Sequence, residues 1–298
     1  MNTTRPVKLG LISEGTTTWP LYVAQALRLF ESEGIDLQVT VTGSSVIQQQ
    51  QLIAGAFDIG FQQADHVVRA VEGGSDLFIF MPHGRAPDLS LMAARETRGI
   101  DELRGRTIAV DGARTGYALL LRRLLKEEGF SDGEILFREC GGSRERFDAM
   151  KSGAALATLL NPPFDANLAA EGYAVLARMG ERFPAYPGSV MAARRGWAQS
   201  HRSEMTGFIR AYGAAHAWLQ NPDNHAEAMR FLPERLTIAP QAAQNAVQGL
   251  ARKPRPRIDD EGLRQVIDIV WESEGYRTPK QAPARYMDLS IMHQALGA

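Results

Sequence analysis

The sequence predicts a two-lobed α/β fold: mostly parallel sheets flanked by helices, a cleft between the lobes, and a helical C-terminal third on the first lobe. Strand-like apolar runs alternate with amphipathic helical stretches from residue 7 to residue 160. The length of 298 residues exceeds one typical core. A six-residue frame also occurs twice, as Ser90-Leu91-Met92-Ala93-Ala94-Arg95 and Ser189-Val190-Met191-Ala192-Ala193-Arg194, each copy after a proline-containing loop. Between the copies lie roughly a hundred residues, about a small domain. An inserted domain needs one crossing out and one back. The expected boundaries are 1–89 and 195–298 for the first lobe and 90–194 for the second, with crossings near 88–95 and 187–194.

Each element has its own local reason. Residues 7–13 form an apolar run that reads as a strand, and Thr18 and Pro20 mark a helix start, followed by a helix over 21–33 closed by Gly34. A strand over 35–42, a helix from Gly43-Ser44-Ser45 to Ala54, a strand over 58–61, a helix over 64–71 and a strand over 77–81 complete the first lobe's opening half. The second lobe reads as a strand over 107–110, a helix to residue 128, a strand over 135–139, a helix from Gly141-Gly142-Ser143 to Met150, and a strand over 155–160. Beyond the second crossing the pattern turns helical, over 202–220, 223–232, 240–251, 259–274 and 285–296.

Composition narrows the function classes. Hydrophobic content of 44% and charged content of 22% describe an ordinary globular protein. The net charge of −1, from 33 basic and 34 acidic residues without long blocks, argues against a nucleic-acid or membrane-surface partner. The basic stretch Arg252–Arg257 reads as a solvated, proline-stiffened loop. The single cysteine, Cys140, excludes an internal disulfide and a cysteine metal cluster. Six scattered histidines show no metal-ligand spacing, so no metal and no cofactor is expected. No apolar run reaches the length of a membrane span. The chain as it stands leaves no room for a secretory signal, so the expected location is cytoplasmic, or periplasmic if translation starts upstream or a leader has been removed.

In open α/β sheets, ligands bind beyond the carboxyl ends of the strands. The loops expected there, Glu14–Trp19, Gly43–Ser45, Gln62–Asp65, Gly112–Tyr117, Gly141–Arg144 and Asn161–Pro163, are small, polar and glycine-rich. Helix N-termini and hydroxyls in such loops favour oxyanions, although caps and turns use the same residue types. Arg114 and Arg144 follow strand ends and could grip an oxyanion. Trp19 and Tyr117 could sandwich a flat ligand, or Trp19 could plug the core.

The order of strand, glycine-to-tryptophan loop, helix and Glu33-Gly34-Ile35-Asp36-Leu37 strand over 8–39 resembles the start of solute-binding proteins of the periplasmic type II fold. The most similar branch is the one of ABC transporters binding sulfonates, taurine, nitrate and pyrimidine precursors of thiamine. Gln51–Gly60, Leu103–Val110 and Arg146–Gly153 leading to Asn161-Pro162-Pro163-Phe164 extend the resemblance, which covers residues 8–197 and is generic beyond. It implies a clamshell closing on one small molecule, with Thr16, Thr17 and Trp19 from the first loop and Ser44 or Ser45 from the second. Gln62 or Gln63 would follow the third strand, and Arg114, Thr115, Tyr117, Ser143 and Asn161 would come from the second lobe. An ABC permease is the implied partner, and the protein itself is expected as a monomer or weak dimer.

Three readings of function stand. The leading one is binding of an anionic or aromatic organic solute. The alternative is a lyase, hydrolase or isomerase acting on a small organic acid on the same fold, with Glu14, Asp65, His66, His83 or Cys140 as candidate acid, base or nucleophile. Aromatic sulfinate desulfinases resemble the fold but place a cysteine in the first loop, which Glu14–Trp19 lacks, and the cysteine-rich segment of pyrimidine synthases is likewise missing. A ligand-sensing interaction protein is the third.

Overall fold

Alternate residues of β1 (Arg5–Leu11), namely Val7, Leu9 and Leu11, are buried, as a strand facing a core requires. The computed structural model describes residues 5–12, 14, 16–84, 87–236 and 256–297. α1 (Trp19–Ala26) carries Pro20 in its first turn, where a missing N–H costs nothing. The helix expected to run on to Glu33 is instead two: Arg28 adopts a left-handed φ of 55°, which stops α1 and begins α2 (Leu29–Ser32). Then come β2 (Ile35–Val41), α3 (Ser45–Ala54), β3 (Ile59–Gln63), α4 (Ala64–Glu72) and β4 (Leu77–Pro82).

Next along the chain are β5 (Ser90–Ala93), β6 (Thr107–Val110), α5 (Gly116–Glu127), β7 (Leu136–Glu139), α6 (Ser143–Lys151) and β8 (Ala157–Leu160). α7 (Phe164–Ala170), β9 (Ala174–Arg178) and α8 (Met179–Arg182), which the sequence pattern did not single out, lead to β10 (Ser189–Arg194). The remainder is helical: α9 (Arg195–Ser200), α10 (Arg202–Gln220), α11 (His225–Leu236), α12 (Asp260–Glu274) and α13 (Ser290–Leu296). The helix expected over 240–251 and the basic stretch up to Arg255 lie outside the described residues.

Two units result. The first comprises Met1–Gly84, Ser189–Ile258 and Gln281–Ala298, the second Arg85–Gly188 and Asp259–Lys280. Three differences from the expected boundaries follow, the first being that the stretch from Arg85 to Leu89, expected on the first lobe, falls in the second unit. Residues 189–194 belong to the first unit, where they form a strand of its sheet. Residues 259–280, expected on the first lobe, belong to the second unit. The reason lies in α12: Glu274 pairs with Arg114, Glu272 with Lys126 at 3.4 Å, and Gly262 lets the helix sit against the Ala185 carbonyl, which a Cβ would overlap.

The first unit's sheet has the order β2-β1-β3-β10-β4, with β1, β2 and β3 parallel and β10 antiparallel to both β3 and β4. The second unit's order is β7-β6-β8-β5-β9, with β6, β7 and β8 parallel and β5 antiparallel to β8 and β9. The twice-occurring sequence frame thus supplies the one antiparallel strand of each sheet. Both copies also carry a register shift, at Leu91/Met92 against β9 and at Met191/Ala192 against β4.

The first unit's core joins Val7, Leu9 and Leu11 to Trp19, Phe80, Phe208 and Tyr212, with Phe30 stacked on Phe208 at 5.5 Å between centroids. A C-terminal segment covers the edge strand β4: Ile79 N donates to Tyr286 O at 2.8 Å and Asp288 N to Ile79 O at 2.9 Å. In the second unit, Met92, Ala109, Met150, Leu160 and Leu168 form a core against which Cys140, Phe147 and Tyr173 pack. Among the described residues no helix is long and apolar enough to cross a membrane.

Candidate functional site

Strand order locates the rim at which each unit can present ligand groups. In the first unit the neighbours of β1 are β2 and β3, so the connections leaving β1 and β3 splay apart at their carboxyl ends. In the second unit the same holds for β6 and β8. The rim loops are therefore those after the parallel strands β1, β2 and β3 in one unit and after β6, β7 and β8 in the other.

At the first unit's rim, most of the polar side chains singled out in the sequence serve the fold. Glu14 is exposed and accepts from Tyr22 OH at 2.8 Å. Thr16–Thr18 form a single 3-10 turn; Thr17 is exposed, and Thr18 sits at the N-cap of α1 without a side-chain cap bond. Trp19 is fully buried in the core, so it presents no ring to a ligand, and its Nε1 has no partner among the described residues. Indole area drives that burial. Ser44 caps α3 by accepting from Ile47 N at 3.3 Å, and Ser45 is half-buried at the first turn.

After β3, Gln62 is 1% exposed; its Oε1 lies 3.0 Å from His66 Nδ1, and its Nε2 has no partner among the described residues. Gln63 is half-buried at the N-cap of α4. Asp65, buried, is held by Arg69 one turn on. His66 Nε2 stands 4.0 Å from Asp65 Oδ2, beyond hydrogen-bond reach. His83 Nδ1 lies 2.9 Å from Tyr212 OH, and its ring is 4.0 Å from that of Phe61. Burial, with His216 nearby, pushes the His83 pKa down to about 3, so the ring is neutral, and burial raises that of Tyr212.

The second unit's rim is built differently. Thr115 caps α5 by accepting from Ala118 N at 3.4 Å and donates toward Asp111 Oδ1 at 2.7 Å. Arg114, 74% exposed, pairs with Glu274 of α12 rather than standing open as a fork. Tyr117 is half-buried in the first turn of α5. Glu139 accepts from Ala113 N at 2.9 Å, and Cys140, half-buried, donates its N–H to Val110 O at 2.8 Å.

Arg144 is exposed, its guanidinium 5.8 Å from the Phe164 ring. The buried cation is Arg146, two residues on and 7% exposed. It donates from Nη1 to Leu159 O at 2.6 Å, from Nε to Gly142 O at 3.2 Å and from Nη2 to Ser143 Oγ at 3.1 Å. Ser143 in turn donates to Asn161 Oδ1, and Asn161 Nδ2 donates to Pro162 O at 3.3 Å. Burial lowers the Arg146 pKa and the nearby Asp111 and Glu145 act against that shift; an arginine stays protonated regardless.

The sequence singled out Arg144 for its place just after a strand end and passed over Arg146 as a ligand group. The signal was helical spacing: Arg146 and Met150, four apart, share the buried face of α6. On the same unit an open groove of about 720 Å³ runs between α5 and α12 over Trp271 and Tyr276. Its charges pair with one another, Arg123 with Glu127 at 3.2 Å and Lys280 with Asp268, and it lies on helix flanks rather than at the strand ends.

Comparison with known proteins places these features in context. The model of the NMT1-like family matches residues 2–232. No curated protein sequence gives a significant match. Among solved structures, the alkanesulfonate-binding protein SsuA of Xanthomonas axonopodis pv. citri, bound to MOPS, is similar at a TM-score of 0.76 and 17% identity, over 95% of this chain and 98% of that one. The periplasmic nitrate-binding protein NrtA of Synechocystis PCC 6803 is similar at 0.79 and 12% identity, over 99% and 89%. The desulfurization enzyme DSZB is similar at 0.71 and 12% identity, over 98% and 99%. These likenesses show the fold, the two-lobed one of periplasmic binding proteins.

Proposed function

The chain belongs to the NMT1-like family, and from that premise we propose that it binds a small organic solute reversibly, as the solute-binding component of an ABC-type uptake system. The observation that carries this reading is the network of buried Arg146 with half-buried Ser143 and Asn161 at the carboxyl rim of the second unit, a preorganised polar surface with no nucleophile in it beyond a hydroxyl already engaged at both ends. Similarity in fold to sulfonate- and nitrate-binding proteins supports binding as the role.

Catalysis has less support. Asp65 is tied to Arg69, His66 to Gln62, His83 to Tyr212 and Glu14 to Tyr22, so these candidates serve internal bonds before any chemistry. Binding implies a periplasmic site of action and a permease partner. The test is a thermal-shift screen of organic acids, sulfonates, amides and thiamine precursors, with mass analysis of each mixture. A bound solute at 100 times Kd adds about 2.7 kcal/mol. A hit recovered unchanged supports the reading, and a hit that is consumed overturns it.

A further inference from the structure

We propose that the second unit's rim reads a neutral, amide-type edge of the solute, a hydrogen-bond donor beside an acceptor, rather than an oxyanion. The inference rests on the solute-binding reading and follows from counting protons. The guanidinium of Arg146 has only donors, so Ser143 Oγ must accept from it. The hydroxyl's single proton then goes to Asn161 Oδ1. What remains on Ser143 is one lone pair, an acceptor.

The orientation of the Asn161 amide is fixed by a second partner. The Pro162 carbonyl oxygen, 3.3 Å away, can only accept, so the amide nitrogen faces it. One N–H of Asn161 is used there. The other has no partner among the described residues and is offered at the half-buried rim. Ser143 and Asn161 together therefore present an acceptor next to a donor. A solute edge with an N–H beside a C=O or ring nitrogen matches both; a carboxylate or sulfonate sets its lone pairs against that of Ser143.

Most of the charge at the rim is met within the chain. Asp111 and Glu145 lie near enough to offset the charge of Arg146, and Arg114 pairs with Glu274, which leaves exposed Arg144, 5.8 Å from the Phe164 ring, as the rim cation without an ion pair among the described residues. The Glu145 carboxylate also folds back over the start of its own helix, with Oε2 within 2.9 Å of where a Cβ on Gly142 would lie. The positive end of α6 is thus already served by an anion of the chain.

The experiment uses the full chain and matched sets of one scaffold carrying an amide, a carboxylate or an amidine, on phenyl, pyridyl and short aliphatic frames, measured by calorimetry. The amide of at least one frame should bind about tenfold or more tightly than its carboxylate, the equivalent of one matched hydrogen bond. Asn161→Asp, which puts an acceptor in place of the free N–H, should shift preference from the amide to the amidine. Ser143→Ala should erase the preference between amide and carboxylate while the fold, followed by circular dichroism, is retained. Carboxylates binding best, or Asn161→Asp keeping the amide preference, overturns the proposal. No member of any set binding, while other solutes stabilise the protein unchanged, also overturns it but leaves solute binding standing; no solute of any kind binding removes both.

Discussion

Arg146 donates from Nη2 to Ser143 Oγ at 3.1 Å from a position only 7% exposed, so a buried cation sets which way a rim hydroxyl points. Its other two bonds end on the backbone carbonyls of Gly142 and Leu159, the first before α6 and the second within β8. The fork therefore ties a helix start to a neighbouring strand end and orients Ser143 in the same stroke.

Replacing that fork should cost both stability and binding. Arg146→Lys keeps the charge but cannot reach three acceptors, and should lower unfolding stability by about 1.5–3 kcal/mol, one lost bond to a charged group. Urea unfolding of the second unit's transition checks this. An unchanged midpoint would contradict the assignment.

Acid should weaken the first unit through His83. Its folded pKa, about 3, lies below the ordinary 6.5, so the unfolded chain binds the proton more readily. The stabilising contribution is present in full above pH 6.5 and is lost as pH falls from 6.5 toward 3; by pH 5 the loss amounts to about 2 kcal/mol. Denaturant midpoints at pH 7.5, 6 and 5 should fall accordingly. His83→Gln, which can still meet Tyr212, should flatten that slope.

Gly262→Ala should loosen α12 from the second unit. The added methyl overlaps the Ala185 carbonyl, and overpacking of this kind costs about 1–3 kcal/mol. Hydrogen exchange should show lost protection over Asp260–Glu274 while β1 to β4 keep theirs. Equal protection in both proteins would mean that α12 does not depend on this contact.

Trp19 should behave as a core residue. Trp19→Ala is expected to cost about 3–5 kcal/mol, and acrylamide should not reach the indole in the wild type. In Phe substitutions of the other three tryptophans, solute should leave the Trp19 emission unchanged.

The sequence reading and the structure part company at identifiable residues. The alternation of strands and helices was legible because β1 and β3 carry buried apolar residues bounded by turns, and because Ser44 and Thr115 are cap residues that do cap. The repeated frame was legible as two strands, β5 and β10, each antiparallel to both its neighbours in its own sheet. The break at Arg28 was not legible, since nothing local demands a left-handed arginine there. The docking of α12 was hidden because its partners, Arg114 and Ala185, are far away in sequence. At the rim, exposure separated residues that composition could not: Arg144 and Arg146 look alike in sequence, and only helix phase buries one of them.

The most direct test of the account is native mass spectrometry of the protein with each solute that stabilises it, alongside Asn161→Asp. Reversible binding through Ser143 and Asn161 requires a 1:1 complex whose solute is released chemically unchanged, and a Kd about tenfold or more higher for amide-type solutes in the variant. A solute that is converted, or one that binds wild type and variant equally, would contradict it.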